Sequence, residues 1–157
     1  MISVLSFNKN LAEQQLLESS CKDEAALRTD DRLSFVGITK WDKWEKLLDD
    51  DGLVDIIFFE IANQSDVERL KVLRSKESAA LLVLLTTPQV SPTLYLKPKI
   101  APDMLLLRPI IADSLHSSIK ELFEELFERM EDNSASQDFI LKDRGSIERF
   151  PFSKISY

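Results

Sequence analysis

Three polar side chains stand at the ends of apolar runs in this sequence, and each could do chemistry there. Glu60 lies near the end of LVDIIFFEIA (53–62), Thr86 follows AALLVLL (79–85), and Arg108, with Pro109 behind it, follows MLLL (104–107). Runs of β-branched, aromatic and aliphatic residues without polar alternation describe strands covered on both faces, as in a parallel sheet. Open α/β sheets place ligand-binding and catalytic groups at the carboxyl ends of such strands. A carboxylate, a hydroxyl and a guanidinium brought together there could accept a charged group, bind one, or simply pair with each other. The plainer reading of Glu60 is the first polar residue of a loop. Cys21 and His116, the only cysteine and histidine, offer less: one thiol cannot form an internal disulfide, and His116 falls in a helix-like stretch as a surface or packing residue.

The elements that must position these groups follow from periodicity. ISVLSF (2–7) reads as a first strand, with Asn8 to Asn10 supplying turn and capping residues. A helix follows with Leu11, Leu16 and Leu17 inward and Glu13, Gln14, Gln15 and Glu18 on a wet outer face, ending near 19–22. LSFVGI (33–38) is a second strand, and Thr39 caps a helix carrying Trp41, Trp44, Leu47 and Leu48, the tryptophans as packing residues. The strand bearing Glu60 leads into a helix capped by Ser65 and running to Lys76. Pro88, Pro92, Pro98 and Pro102 leave room only for a short, distorted helix or an irregular loop before the fifth strand, 104–107. The clearest helix spans 112 to about 131, with Leu115, Ile119, Leu122 and Leu126 at four-three-four spacing, widened by Phe123, Phe127 and Met130.

Five strands alternating with helices predict a three-layer α/β domain, a doubly wound, flavodoxin-like five-stranded parallel sheet. It occupies 1–131, with DNSASQ supplying a linker at 132–137 and alternation across 138–157 suggesting a C-terminal β-hairpin.

Composition narrows the functions. A formal net charge of −7 disfavours nucleic-acid binding by the bulk of the chain. The absence of a membrane-length apolar run predicts a cytoplasmic protein. With three glycines, Gly37, Gly52 and Gly145, there is no glycine-rich phosphate loop, which disfavours dinucleotide and P-loop chemistry.

Aligned by its strand ends, the order of elements resembles a response-regulator receiver domain, and the tail resembles the opening strands of a LytTR-type DNA-binding domain. The resemblance puts Asn8 and Lys9 where receivers carry a Mg²⁺-holding acidic pair, and Glu60 where they carry the phosphoryl-accepting aspartate. Thr86 matches the hydroxyl residue of strand four. Arg108-Pro109 stands for Lys-Pro, and Leu105 for the switch aromatic. Only the threonine and the proline match. Phosphoryl transfer to a carboxylate needs a divalent cation and close positioning. Asn8 is a neutral ligand, Lys9 repels a cation, and the extra methylene of Glu60 shifts its oxygens.

The resemblance therefore implies an atypical receiver of a transcriptional regulator, independent of phosphorylation, without enzymatic activity, cofactor or metal. Such a module would act by homodimerisation or through a protein partner, and would reach DNA only through a complete C-terminal domain. Leu115, Ile119, Leu122, Phe123, Leu126 and Phe127 are the expected dimer surface. Glu60 either mimics a phosphorylated aspartate, with Arg108 as its partner, or forms a solvated ion pair left from an abandoned site. The alternatives are phosphorylation on an unusual acceptor and a ligand-sensing α/β domain.

Overall fold

The computed structural model describes residues 1–44, 46 and 52–143, the stretch 133–143 as helix backbone. The chain divides into two compact units, Met1–Phe123 and the part from Glu124 onward. In the first unit, strands β1 (Ile2–Phe7), β2 (Leu33–Ile38), β3 (Ile56–Glu60), β4 (Leu81–Thr86) and β5 (Met104–Leu107) form one sheet in the order β2-β1-β3-β4-β5. Every neighbouring pair is parallel. This is the expected doubly wound sheet. Its order reverses between β1 and β3, so the crevice beyond their carboxyl ends lies between Asn8 and Glu60.

Both faces of the central strands are buried, which is why their sequences do not alternate. Leu5, Phe7, Ile57, Phe59, Leu82 and Leu84 share one core with Val67, Leu70 and Leu73 of helix α2 (Gln64–Lys76). The alternate residues Val4, Ile56, Phe58, Leu81, Val83 and Leu85 are equally buried and point to the other face. That face is served by Leu17, Cys21 and Ala25 of helix α1 (Leu11–Arg28) and by Leu115, Ile119, Leu122 and Phe123 of helix α3 (Ala112–Asp143). Each fully buried side chain of this size contributes roughly 1.5–3 kcal/mol.

The starts of α1 and α2 are decided by asparagines. Asn10 Oδ1 accepts from Glu13 N at 3.0 Å and caps α1, while Asn63 Oδ1 accepts from Asp66 N at 3.1 Å and caps α2. Asn63 thus replaces Ser65 as the cap; both residue types cap well, and the first available one ends the loop. Helix α1 runs to Arg28, past the expected stop at 19–22, because Ser19 to Lys22 includes no glycine or proline and strong helix formers follow. Thr39 does not cap a helix. Trp41–Lys43 form a 3-10 turn whose cap position is Lys40, with Trp44 after it; Leu47 and Leu48 lie outside the described residues. Trp41 and Trp44 pack with Phe7 and Phe59, ring centroids 5.1–6.2 Å apart. Their reading as packing residues agrees with this. The proline-rich connection holds only a 3-10 turn, Pro92–Leu94, as expected.

Two expectations fail in α3. The helix continues through Asp143, over the stretch 132–137 expected as a linker and 138–141 expected as a strand. No glycine or proline occurs between Pro109 and Gly145, and an established helix adds polar residues at little cost. The rest of the expected hairpin lies outside the described residues. The apolar stripe is also not left open for a second copy: Leu115, Ile119, Leu122 and Phe123 are at most 2% exposed within the first unit. A dimer built on them would have to open the domain's own core. Further along, Leu126 is buried and Phe127 half-buried. Among the described residues no helix is long and apolar enough to cross a membrane.

Candidate functional site

The ends of β1, β3 and β5 bring Asn8, Glu60 and Arg108 together, as the strand-end pattern requires, and the first turn of α1 adds Glu13. Arg108 is the hub. Its Nη1 lies 2.7 Å from Glu60 Oε2. Its Nε donates to both Glu13 oxygens, at 3.0 and 3.1 Å, and its Nη2 lies 2.9 Å from Glu13 Oε1. Nη2 also donates to Asn8 Oδ1 at 3.1 Å. The guanidinium side chain is 18% exposed and each glutamate 15%, so this is a largely desolvated cluster and not the solvated ion pair expected of an abandoned site.

Its electrostatics favour the cation. Burial by itself works against the charge of Arg108, but hydrogen bonding to Glu13 and the charges of Glu60 and Glu13 outweigh it, and the pKa lies above its ordinary value. Two carboxylates thus share one permanent positive charge.

The remaining residues are also committed. Lys9 contributes its backbone N–H, which donates to Glu60 Oε1 at 3.0 Å, and its side chain is exposed. Thr86 is fully buried and its Oγ1 donates to Ile61 O at 2.7 Å, so the hydroxyl serves the β3 exit and not the crevice. The Arg108-Pro109 peptide bond is cis.

Two residues escape a reading by sequence. Periodicity puts Glu13 and Gln14 on the outer face of α1, yet Gln14 is 4% exposed. Its Nε2 donates to Ser6 O at 2.9 Å and to Ile38 O at 3.2 Å, and its Oε1 accepts from Ser6 Oγ. Helical periodicity marks Leu17 as inward but does not show that the first turn of the helix lies beside the strand ends. The one usable signal is that a cap residue, Asn10, begins α1 only two positions beyond the strand-end Asn8, which places the first turn at the sheet's edge.

The Mg²⁺ that a receiver resemblance implies does not fit these residues. Asn8 Oδ1 already accepts from Asn10 N at 2.9 Å and from Arg108, Lys9 is cationic, and both carboxylates are engaged by the guanidinium. Among the described residues no group of three or more histidine, cysteine, aspartate or glutamate side chains is placed to hold a metal ion.

With strand order, crossovers and site location described, comparison with solved structures decides the fold. A CheY-like response-regulator receiver domain protein from Methanospirillum hungatei superposes with a TM-score of 0.61, at 12% identity over 82% of this chain and 98% of that one. This chain has the receiver fold. A response regulator from Thermotoga maritima gives 0.59 at 11% identity, covering 79% and 98%. A signal receiver domain of a histidine kinase from Clostridium thermocellum gives 0.61 at 16% identity, covering 76% and 95%. No protein-family model matches the sequence, and no curated protein matches it. The receiver fold is therefore shared at a level where site residues do not carry over by likeness, and those of this receiver-like domain are read from its own geometry.

Proposed function

We propose that this domain is a phosphorylation-independent receiver module of a signalling protein, acting by binding a protein partner, a second copy included, and catalysing no reaction. The observation that carries it is the Arg108 guanidinium lying between Glu60 and Glu13. A carboxylate accepting a phosphoryl group needs a free oxygen aligned with the donor and a cation to neutralise the transferred oxygens. Here the nearest cation is a side chain, and Glu60 spends one oxygen on Arg108 and the other on Lys9 N. The Glu60–Arg108 contact ties the ends of β3 and β5 without a phosphoryl group.

A binding role needs surface. On β5 and just after it, Leu105, Leu107 and Ile111 are 40%, 48% and 60% exposed, and Leu96 of the proline-rich β4–β5 connection is 59% exposed. These side chains support partner binding better than the buried stripe of α3.

Incubation with a small-molecule phosphodonor and Mg²⁺, followed by intact-mass measurement, tests the reading. The expected mass is unchanged, and tryptophan fluorescence should not respond to Mg²⁺. A phosphoryl adduct that disappears in Glu60→Gln would establish the unusual-acceptor reading instead.

A further inference from the structure

Asn8, Glu13 and Arg108 close a hydrogen-bonded ring. Asn8 Nδ2 donates to Glu13 Oε1 at 2.9 Å, Arg108 donates to Glu13 through Nε and Nη2, and Arg108 Nη2 donates back to Asn8 Oδ1 at 3.1 Å. The orientation of the Asn8 amide is fixed independently. Asn10 N donates to Oδ1 at 2.9 Å, and a backbone N–H can only donate, so that atom is the oxygen and the nitrogen faces Glu13. Asn8 itself is 2% exposed, which leaves water little chance to substitute for either contact.

Few side chains could close this ring. It needs a donor toward a carboxylate and an acceptor toward a guanidinium, on one short side chain, and a primary amide supplies both. An ionised aspartate only accepts. At position 8 it would set a second carboxylate against Glu13 at the 2.9 Å now spanned by a hydrogen bond, and two such groups do not both ionise comfortably. Lysine or arginine there would meet Arg108.

We infer that Asn8 is the positioning residue that selects the site's occupant: with Glu13 it holds the Arg108 guanidinium over Glu60 as a resident cation. The amide at the end of β1 is then a working part matched to Glu13 and Arg108, and not merely what is left when an acid is lost. Substituting aspartate would bring position 8 nearer to the receiver pattern and would damage the site. This deepens the phosphorylation-independent reading and rests on it for its functional meaning, although the ring can be tested by itself.

The test is a double-mutant cycle at neutral pH in urea, with Asn8→Asp, Glu13→Gln and the two combined. Each single change should raise the unfolding equilibrium constant about tenfold, the one by opposing two carboxylates and the other by removing a charge-assisted acceptor. The combined variant exchanges donor and acceptor at the contact between positions 8 and 13. An amide N–H at position 13 donates to a carboxylate at position 8, which keeps its bond from Arg108 Nη2, while the amide oxygen at position 13 accepts from Arg108 Nε in the place of Oε2. It should return to within about threefold of the parent, whereas independent effects would multiply to about a hundredfold. Should Asn8→Asp not fold, a double variant that folds supports the ring, and one that also fails to fold counts against it.

Nitrogen-15 NMR supplies a readout that mere destabilisation does not move. The Arg108 Nε–H should exchange slowly with water in the parent and in the double variant, and rapidly in folded Glu13→Gln. Multiplicative effects, or a fast-exchanging Nε–H in the parent, would overturn the inference. A phosphoryl adduct in the phosphodonor experiment would sink the proposed function while leaving a non-additive cycle standing, so the two failures are distinguishable.

Discussion

Arg108 Nε lies 3.0 and 3.1 Å from the two oxygens of Glu13, a residue 95 positions earlier in the chain. The contact joins the end of β5 to the first turn of α1 across the crevice. Its strength comes from geometry: a guanidinium edge meeting both oxygens of one carboxylate gives parallel, charge-assisted bonds in a partly desolvated place.

Removing the cation should therefore cost more than removing a surface ion pair. Arg108→Met would leave two carboxylates near each other with their partner gone, and is expected to destabilise the domain by about 2–3 kcal/mol. Arg108→Lys keeps the charge but offers no planar fork, and should fall between the parent and Arg108→Met. Urea unfolding at neutral pH measures both. A loss under about 0.5 kcal/mol for Arg108→Met would mean that the cluster is solvated after all.

Gly37 is constrained by Gln14. A Cβ added at Gly37 would stand 3.0 Å from Gln14 Nε2 and 3.3 Å from its Cδ. Gln14 is buried and bonded to Ser6 and Ile38, so it has little freedom to retreat. Gly37→Ala should destabilise by about 1–2 kcal/mol through those bonds. In a Gln14→Ala background the same change should cost much less, and equal costs in the two backgrounds would exclude the steric account.

Cys21 should behave as an inert thiol. It is fully buried, and desolvation, with a smaller contribution from the charge of Glu18, pushes its pKa from 9.0 up to about 12. Alkylation by iodoacetamide at mildly alkaline pH should be undetectable in the folded protein and rapid in urea. The sign for stability follows from the same shift. Below pH 9 the thiol is protonated in both states; from there to about 12 the unfolded chain loses its proton while the folded chain keeps it, so stability falls with rising pH. Cys21→Ala should flatten that part of the pH profile.

The stripe on α3 can be probed as core or interface. Ile119 is 1% exposed within the first unit, and Ile119→Lys buries an unpaired charge. The expected result is loss of the folded far-UV circular dichroism spectrum, or a destabilisation of several kcal/mol. A well-folded variant differing only in sedimentation would restore the interface reading.

The pattern of apolar runs by itself determined the sheet. Strands buried on both faces must be uninterrupted in their apolar residues, and that signal survives without any knowledge of neighbours, so the runs that hold β3 and β4 stood out. The edge strands β2 and β5, only partly buried, were legible to their last positions from their short β-prone runs. The pattern also placed Glu60, Thr86 and Arg108 at the same edge, because the polar residue after each run marks a carboxyl end. What tertiary structure alone decided is which groups answer one another there. Glu13 and Gln14 sit among polar residues on a helix whose outward face periodicity assigns correctly on average. Docking of α1 against β1 and β2 turns its first turn over the strand ends, burying Gln14 and setting Glu13 against Arg108. Thr86 stands at the strand end that its apolar run marks, but its hydroxyl turns to Ile61 O, a choice made by a backbone carbonyl 25 positions away. The breadth of the α3 stripe was legible too, and whether the sheet or a second chain would cover it was not, since apolar periodicity records how much surface must be buried and carries no mark of what buries it.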